Sequence, residues 1–105
     1  MAKSYQVSPR IGLLMATRNQ SQTLAAAVHT ILSQTYESLT LTIVDDGSSD
    51  NSAEILNNLQ AKDKRITLIA SRQQGKVAAL NLAMQRSKPS AYYAVVSASC
   101  LYTQT

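Results

Sequence analysis

Four short, continuous apolar runs alternate with three segments of helical periodicity, and this alternation limits the fold more than any other feature. The runs are IGLLMA (11–16), LTLTIV (39–44), RITLIA (65–70) and AYYAVVSA (91–98). Each has strand length, and consecutive apolar positions suit strands covered on both faces. Between the first two, Leu24, Val28, Ile31 and Leu32 recur at helical spacing, supported by Ala25 to Ala27. Ile55, Leu56 and Leu59 form a second stripe. Val77, Leu80 and Met84, with Ala79 and Ala83, predict a third helix that ends before Pro89. The order β-α-β-α-β-α-β predicts the α/β class, as a Rossmann-like three-layer αβα sandwich with a mostly parallel sheet. Right-handed crossovers then bring the carboxyl ends of all four strands to one edge. Ligands of such sheets bind there, near the point where strand order reverses.

Composition narrows the function classes. At 105 residues the chain is expected to be one domain, 1–105. Its 45% hydrophobic content is enough for a core, which must come from aliphatic residues because Trp and Phe are absent. The net charge of +4 is spread along the chain rather than gathered into a run, so no nucleic-acid partner is signalled. Cys100 is the only cysteine, so no internal disulfide forms. His29, the only histidine, lies far from it in sequence. The start, MAKSYQVSPR, has no apolar signal core, and no apolar run reaches membrane-spanning length. A cytoplasmic location is expected, with membrane association only through segments missing from this chain.

The ligand edge holds a particular set of side chains. The second run ends in Asp45 and Asp46, followed by Gly47 and SSDNS. Successive strand residues face opposite sides. One carboxylate can therefore face the cleft while the other bonds backbone donors of the next turn, where Gly47 can take an unusual conformation. The alternative is that both merely cap the loop and the next helix. After the first strand come Thr17 and Asn19, able to bond a ligand or cap a helix, with Arg18 able to stack on a base or pair with phosphate. After the third come Arg72 and then Gly75-Lys76 at a helix start, a corner suited to anions. The spacing of a Walker loop is absent. Acids able to meet a base or ribose, facing cations able to meet a diphosphate, favour a nucleotide.

These motifs resemble the amino-terminal half of family 2, GT-A-fold glycosyltransferases. The turn Ala16-Thr17-Arg18-Asn19, the helix end Ile31-Leu32-Ser33-Gln34-Thr35-Tyr36, the strand end Val44-Asp45-Asp46-Gly47-Ser48-Ser49-Asp50 and the segment GKVAALNLAM all match in order. The resemblance runs from about Ser8 onward. It implies a truncated GT-A nucleotide-diphospho-sugar transferase fold and a nucleotide sugar as donor. It also implies a base pocket of Ala16, Thr17 and Arg18, an Asp46 that hydrogen-bonds the base, and a Lys76 near base and phosphate. The complete enzyme would transfer the sugar to an acceptor with inversion.

Two departures from the family qualify this picture. Its fourth strand ends in D-x-D acids that hold Mg²⁺ or Mn²⁺ at the diphosphate. Here Ser97 and Ser99 take those positions and Cys100 a third, and neutral hydroxyls are poor ligands for such ions. No metal site of the family type is expected from this chain. The acceptor-binding half and its catalytic base would lie beyond residue 105, so no catalytic residue is assigned and the isolated chain is expected to be inactive. The competing reading is a non-catalytic nucleotide-binding or protein-interaction module with a degenerate metal motif. A receiver domain is excluded, since strands one, three and four end without a phosphorylatable Asp. If the last strand lies beside the first, it becomes an exposed edge through which two copies could associate.

Overall fold

A computed structural model describes residues 9–33, 38–90 and 92–98. The elements alternate as expected: β1 (Ile11–Thr17), α1 (Ser21–Leu32), β2 (Leu39–Asp46), α2 (Ser52–Lys62), β3 (Ile66–Ser71), α3 (Lys76–Arg86) and β4 (Tyr92–Val95). All three strand pairings are parallel, in the order β3-β2-β1-β4. The chain steps from β1 to β2 to β3 in one direction, then crosses back to the far side of β1. Right-handed crossovers therefore put α1 and α2 on one face and α3 on the other.

Two cores follow from that arrangement. On the first face Met15, Leu41 and Ile43 of the sheet pack with Leu24, Ala27 and Val28 of α1 and Leu56 of α2. Full burial of each large side chain there is worth about 1.5–3 kcal/mol. On the second face Leu14 and Val44 meet Ala79 and Ala83 of α3. Here the sequence expectation needs correction. Val77 and Met84 do not point into the core but are 74% and 46% exposed. The two alanines let α3 lie close to the sheet, which turns Val77 and Met84 outward while Leu80 stays partly buried against this core.

Strand ends also differ from expectation. β2 runs on through both aspartates, because β1 and β3 flank it there and pair Asp45 with Thr17 and Asp46 with Ser71. The fourth strand is shorter than 91–98. Among the described residues it is an edge strand whose four residues are all exposed, and past Val95 the Val96 N–H still reaches the Leu14 carbonyl, at 2.9 Å. Ala91 lies outside the described residues.

Candidate functional site

Strand parity decides where the two aspartates go. Leu41 and Ile43 belong to the α1/α2 core and Val44 to the α3 core, so Asp45 faces α2 and Asp46 faces α3. Asp45 turns to its own loop, where Oδ1 accepts the Ser48 backbone N–H at 3.2 Å and the Ser48 hydroxyl. Asp46 reaches across to the β3–α3 loop. Its Oδ1 accepts the Ser71 hydroxyl at 2.6 Å and the Gln74 N–H at 2.9 Å, and its Oδ2 accepts the Gly75 N–H at 3.0 Å. The Ser71 hydroxyl chiefly, then the two backbone N–H groups and the Arg18 charge, outweigh burial and hold the Asp46 carboxyl below its ordinary value. The division of labour expected for the pair is present, with an addition. The acid that faces the cleft also braces the loop opposite.

That brace shapes a cleft of about 390 Å³ at the carboxyl edge. It lies by β1, between β2 on one side and β4 on the other, where strand order reverses. Ala16, Thr17, Arg18, Asp46 and Lys76, which were singled out from the sequence, all line it, together with Gln20, Gln73, Gly75 and Ser97. Ala16 is half-buried and packs against the α3-side core. Thr17 is buried and donates its hydroxyl to Gln20 Oε1 at 2.7 Å, which holds the β1–α1 turn. Gly75 has φ +97, a conformation that side chains resist, and it starts α3 with Lys76 exposed beside the cleft. Arg18 is exposed on the opposite rim, and Arg72 does not line the cleft.

Asn19 is not a cleft residue. Its Oδ1 accepts the backbone N–H groups of Ser49 and Asp50, tying the β1–α1 turn to the β2–α2 turn. Asp50 then caps two helices: Oδ2 accepts Ser21 N–H at the start of α1 and Oδ1 accepts Ser52 N–H at the start of α2. Ser52, then Ser21, lowers its carboxyl to about 2. Asp63 pairs with Arg65 at 2.9 Å, as a loop charge should.

A divalent ion is poorly served here. Asp46 is the one carboxylate in the cleft lining, and three protein donors already surround it. Among the described residues no three His, Cys, Asp or Glu side chains gather as a metal-holding group. Ser97 lines the cleft where an acid would be needed, while Ser99 and Cys100 lie outside the described residues. The Gln34-Thr35-Tyr36 motif lies outside them too.

Sequence reading missed Ser71, Gln73, Gln74 and Gln20. Ser71 had a usable signal, since aligning the two strand ends sets it beside Asp46. Gln73 had none, because its φ of 45° is rare outside glycine and unreadable from residue type.

A family model described as glycosyl transferase family 2 matches residues 13–102. An uncharacterized glycosyltransferase of Haemophilus influenzae is 36% identical over 81 residues, covering 76% of this chain and 32% of that protein. The solved mannosyltransferase PcManGT from Pyrobaculum calidifontis, in complex with GDP-Man and Mn²⁺, superposes with a TM-score of 0.80. It is 22% identical, over 88% of this chain and 28% of that one. Staphylococcus aureus TarS superposes with a TM-score of 0.75 at 15% identity, over 85% and 27%. The chain thus spans about a third or less of the proteins it matches, and the two superpositions establish a shared fold.

Proposed function

This chain belongs to glycosyl transferase family 2, and from that premise we propose that its cleft holds the nucleoside diphosphate of a sugar donor. The complete enzyme would pass that sugar to an acceptor. One observation carries the reading: Arg18 after β1, Asp46 at the end of β2 and Lys76 at the start of α3 line a single cleft with Ala16 and Thr17. A carboxylate offers about four acceptor positions. Protein donors fill three of those on Asp46, which leaves about one for an N–H of a base. Arg18 can stack on that base or meet phosphate, and Lys76 can meet the diphosphate. No residue of this chain is assigned as the catalytic base.

Isothermal titration with UDP and with GDP tests the proposal. Saturable binding of at least one, weakened about tenfold or more by Asp46→Asn, supports it. Heat traces without binding for both nucleotides overturn it.

The other reading, a binding module without transfer activity, draws on Ser97 in the cleft lining and on the absence of any Asp or Glu after Asp63. Under either reading β4 is a candidate contact between two copies. It is the edge strand among the described residues, Tyr92 and Val95 are 64% and 57% exposed, and residues 92–98 carry no charge to repel a second copy.

A further inference from the structure

We propose that this chain binds a nucleoside diphosphate without a divalent cation, with Arg18 and Lys76 supplying the countercharge; this rests on the nucleotide-binding reading above. The family resemblance implies metal-holding carboxylates after the fourth strand, where this chain has Ser97, Ser99 and Cys100. From Lys64 to Thr105 the sequence contains six Lys and Arg residues and no Asp or Glu. Hard divalent ions take carboxylate, carbonyl and water oxygens. Ser97 brings only a neutral hydroxyl to the cleft.

Three of the four aspartates are committed elsewhere, and Glu54 is exposed on α2, on the other face of the sheet. Asp45 faces the opposite side of the sheet and bonds Ser48. Asp50 bonds the first N–H groups of two helices, and Asp63 pairs with Arg65. Asp46 does face the cleft, but it is ringed by the Ser71 hydroxyl and the N–H groups of Gln74 and Gly75. Those hydrogens point positive charge at the oxygens a cation would need. Against this one acid the cleft lining sets two cations, Arg18 and Lys76. Both are exposed and long enough to swing onto a bound diphosphate. A free diphosphate complements such a cleft better than its metal chelate, whose charge is already reduced.

Titration of the 105-residue chain with UDP and GDP, in Mn²⁺ and in EDTA, tests this. Affinities that agree within about twofold, or that weaken in Mn²⁺, are expected. Tightening by about tenfold or more in Mn²⁺ would overturn metal independence while leaving the nucleotide site in place. No binding of either nucleotide in either buffer would overturn the site and this inference together. Electron paramagnetic resonance of Mn²⁺ with the protein alone should show the free-ion spectrum, and stoichiometric loss of that signal counts against the proposal. Lys76→Ala should weaken UDP about tenfold and uridine hardly at all. An equal effect on both, or none on UDP, sinks the countercharge assignment.

Discussion

Asn19 Oδ1 accepts the backbone N–H of Ser49 at 2.7 Å, joining two loops thirty residues apart in sequence. The same oxygen accepts from the Ser49 hydroxyl and the Asp50 N–H, both at 3.3 Å, while the Asn19 N–H donates to Ser48 Oγ. Asn19 does this with φ at 54°, a left-handed conformation that Asn tolerates better than most residues. Its place in the T-R-N turn is therefore structural: it fixes the loop that presents Arg18.

Replacing Asn19 separates its two contributions. Asn19→Ala loses the bridging bonds and strains the backbone, and should cost about 1–3 kcal/mol in urea unfolding. Asn19→Gly loses the bonds but relaxes the backbone, so its loss should be smaller. Equal stability of the two variants would refute the backbone part.

Asp50 makes stability depend on acid. Its folded carboxyl is lowered to about 2 from an ordinary 3.8. A depressed carboxyl contributes fully above the unfolded value, and that contribution is lost as pH falls through the folded one. Asp50→Asn should therefore be less stable than wild type at neutral pH. The gap should narrow below pH 3.8 and close near pH 2. A gap that does not change with pH would contradict the double-capping role.

Ser71 tunes Asp46. Its hydroxyl is the largest cause of the lowered Asp46 carboxyl, so Ser71→Ala should raise that titration, as followed by carbon NMR of the side chain. Asp46 stabilises the fold above the ordinary carboxyl value of 3.8 and stops doing so as pH falls through its lower folded value. In Ser71→Ala that acid-dependent loss should be smaller and finish at higher pH, with about 1 kcal/mol of stability gone at neutral pH. An unmoved titration would mean that the backbone N–H groups and the Arg18 charge set it without the hydroxyl.

Gly47 cannot take a side chain cheaply. Its φ is +81°, and an added Cβ would stand 2.7 Å from Gln73 Cγ and 3.1 Å from Gln73 N. Gly47→Ala should cost about 1–3 kcal/mol and disturb the β3–α3 loop that Asp46 braces. Wild-type thermal stability in that variant would show that the loop yields freely.

The β4 edge predicts concentration-dependent dimers. Sedimentation of wild type should show them, and Val95→Lys should abolish them while leaving the fold intact, since Val95 is 57% exposed. A monomer at all concentrations would remove the edge as a contact.

Much of this was legible because it is local. Strand length, helical period and a two-residue alternation are properties of neighbouring residues. They sufficed to place seven elements, to put Asp45 and Asp46 on the ligand edge and to send them in opposite directions. The cleft residues Thr17, Arg18 and Lys76 followed because parallel crossovers bring all strand ends to one side, while Ala16 was implied by the family resemblance.

Tertiary structure alone decided the rest. Which face of α3 met the sheet depended on how closely a helix can approach, and Ala79 and Ala83 prevailed over Val77 and Met84. Asp46 found its partners more than twenty residues away, through the register that sets Ser71 beside it and a loop that turns at Gln73 with φ 45°. A sequence lists the donors a carboxylate could use, but only a folded backbone brings particular ones to within 3 Å, because hydrogen bonds need fixed distance and direction.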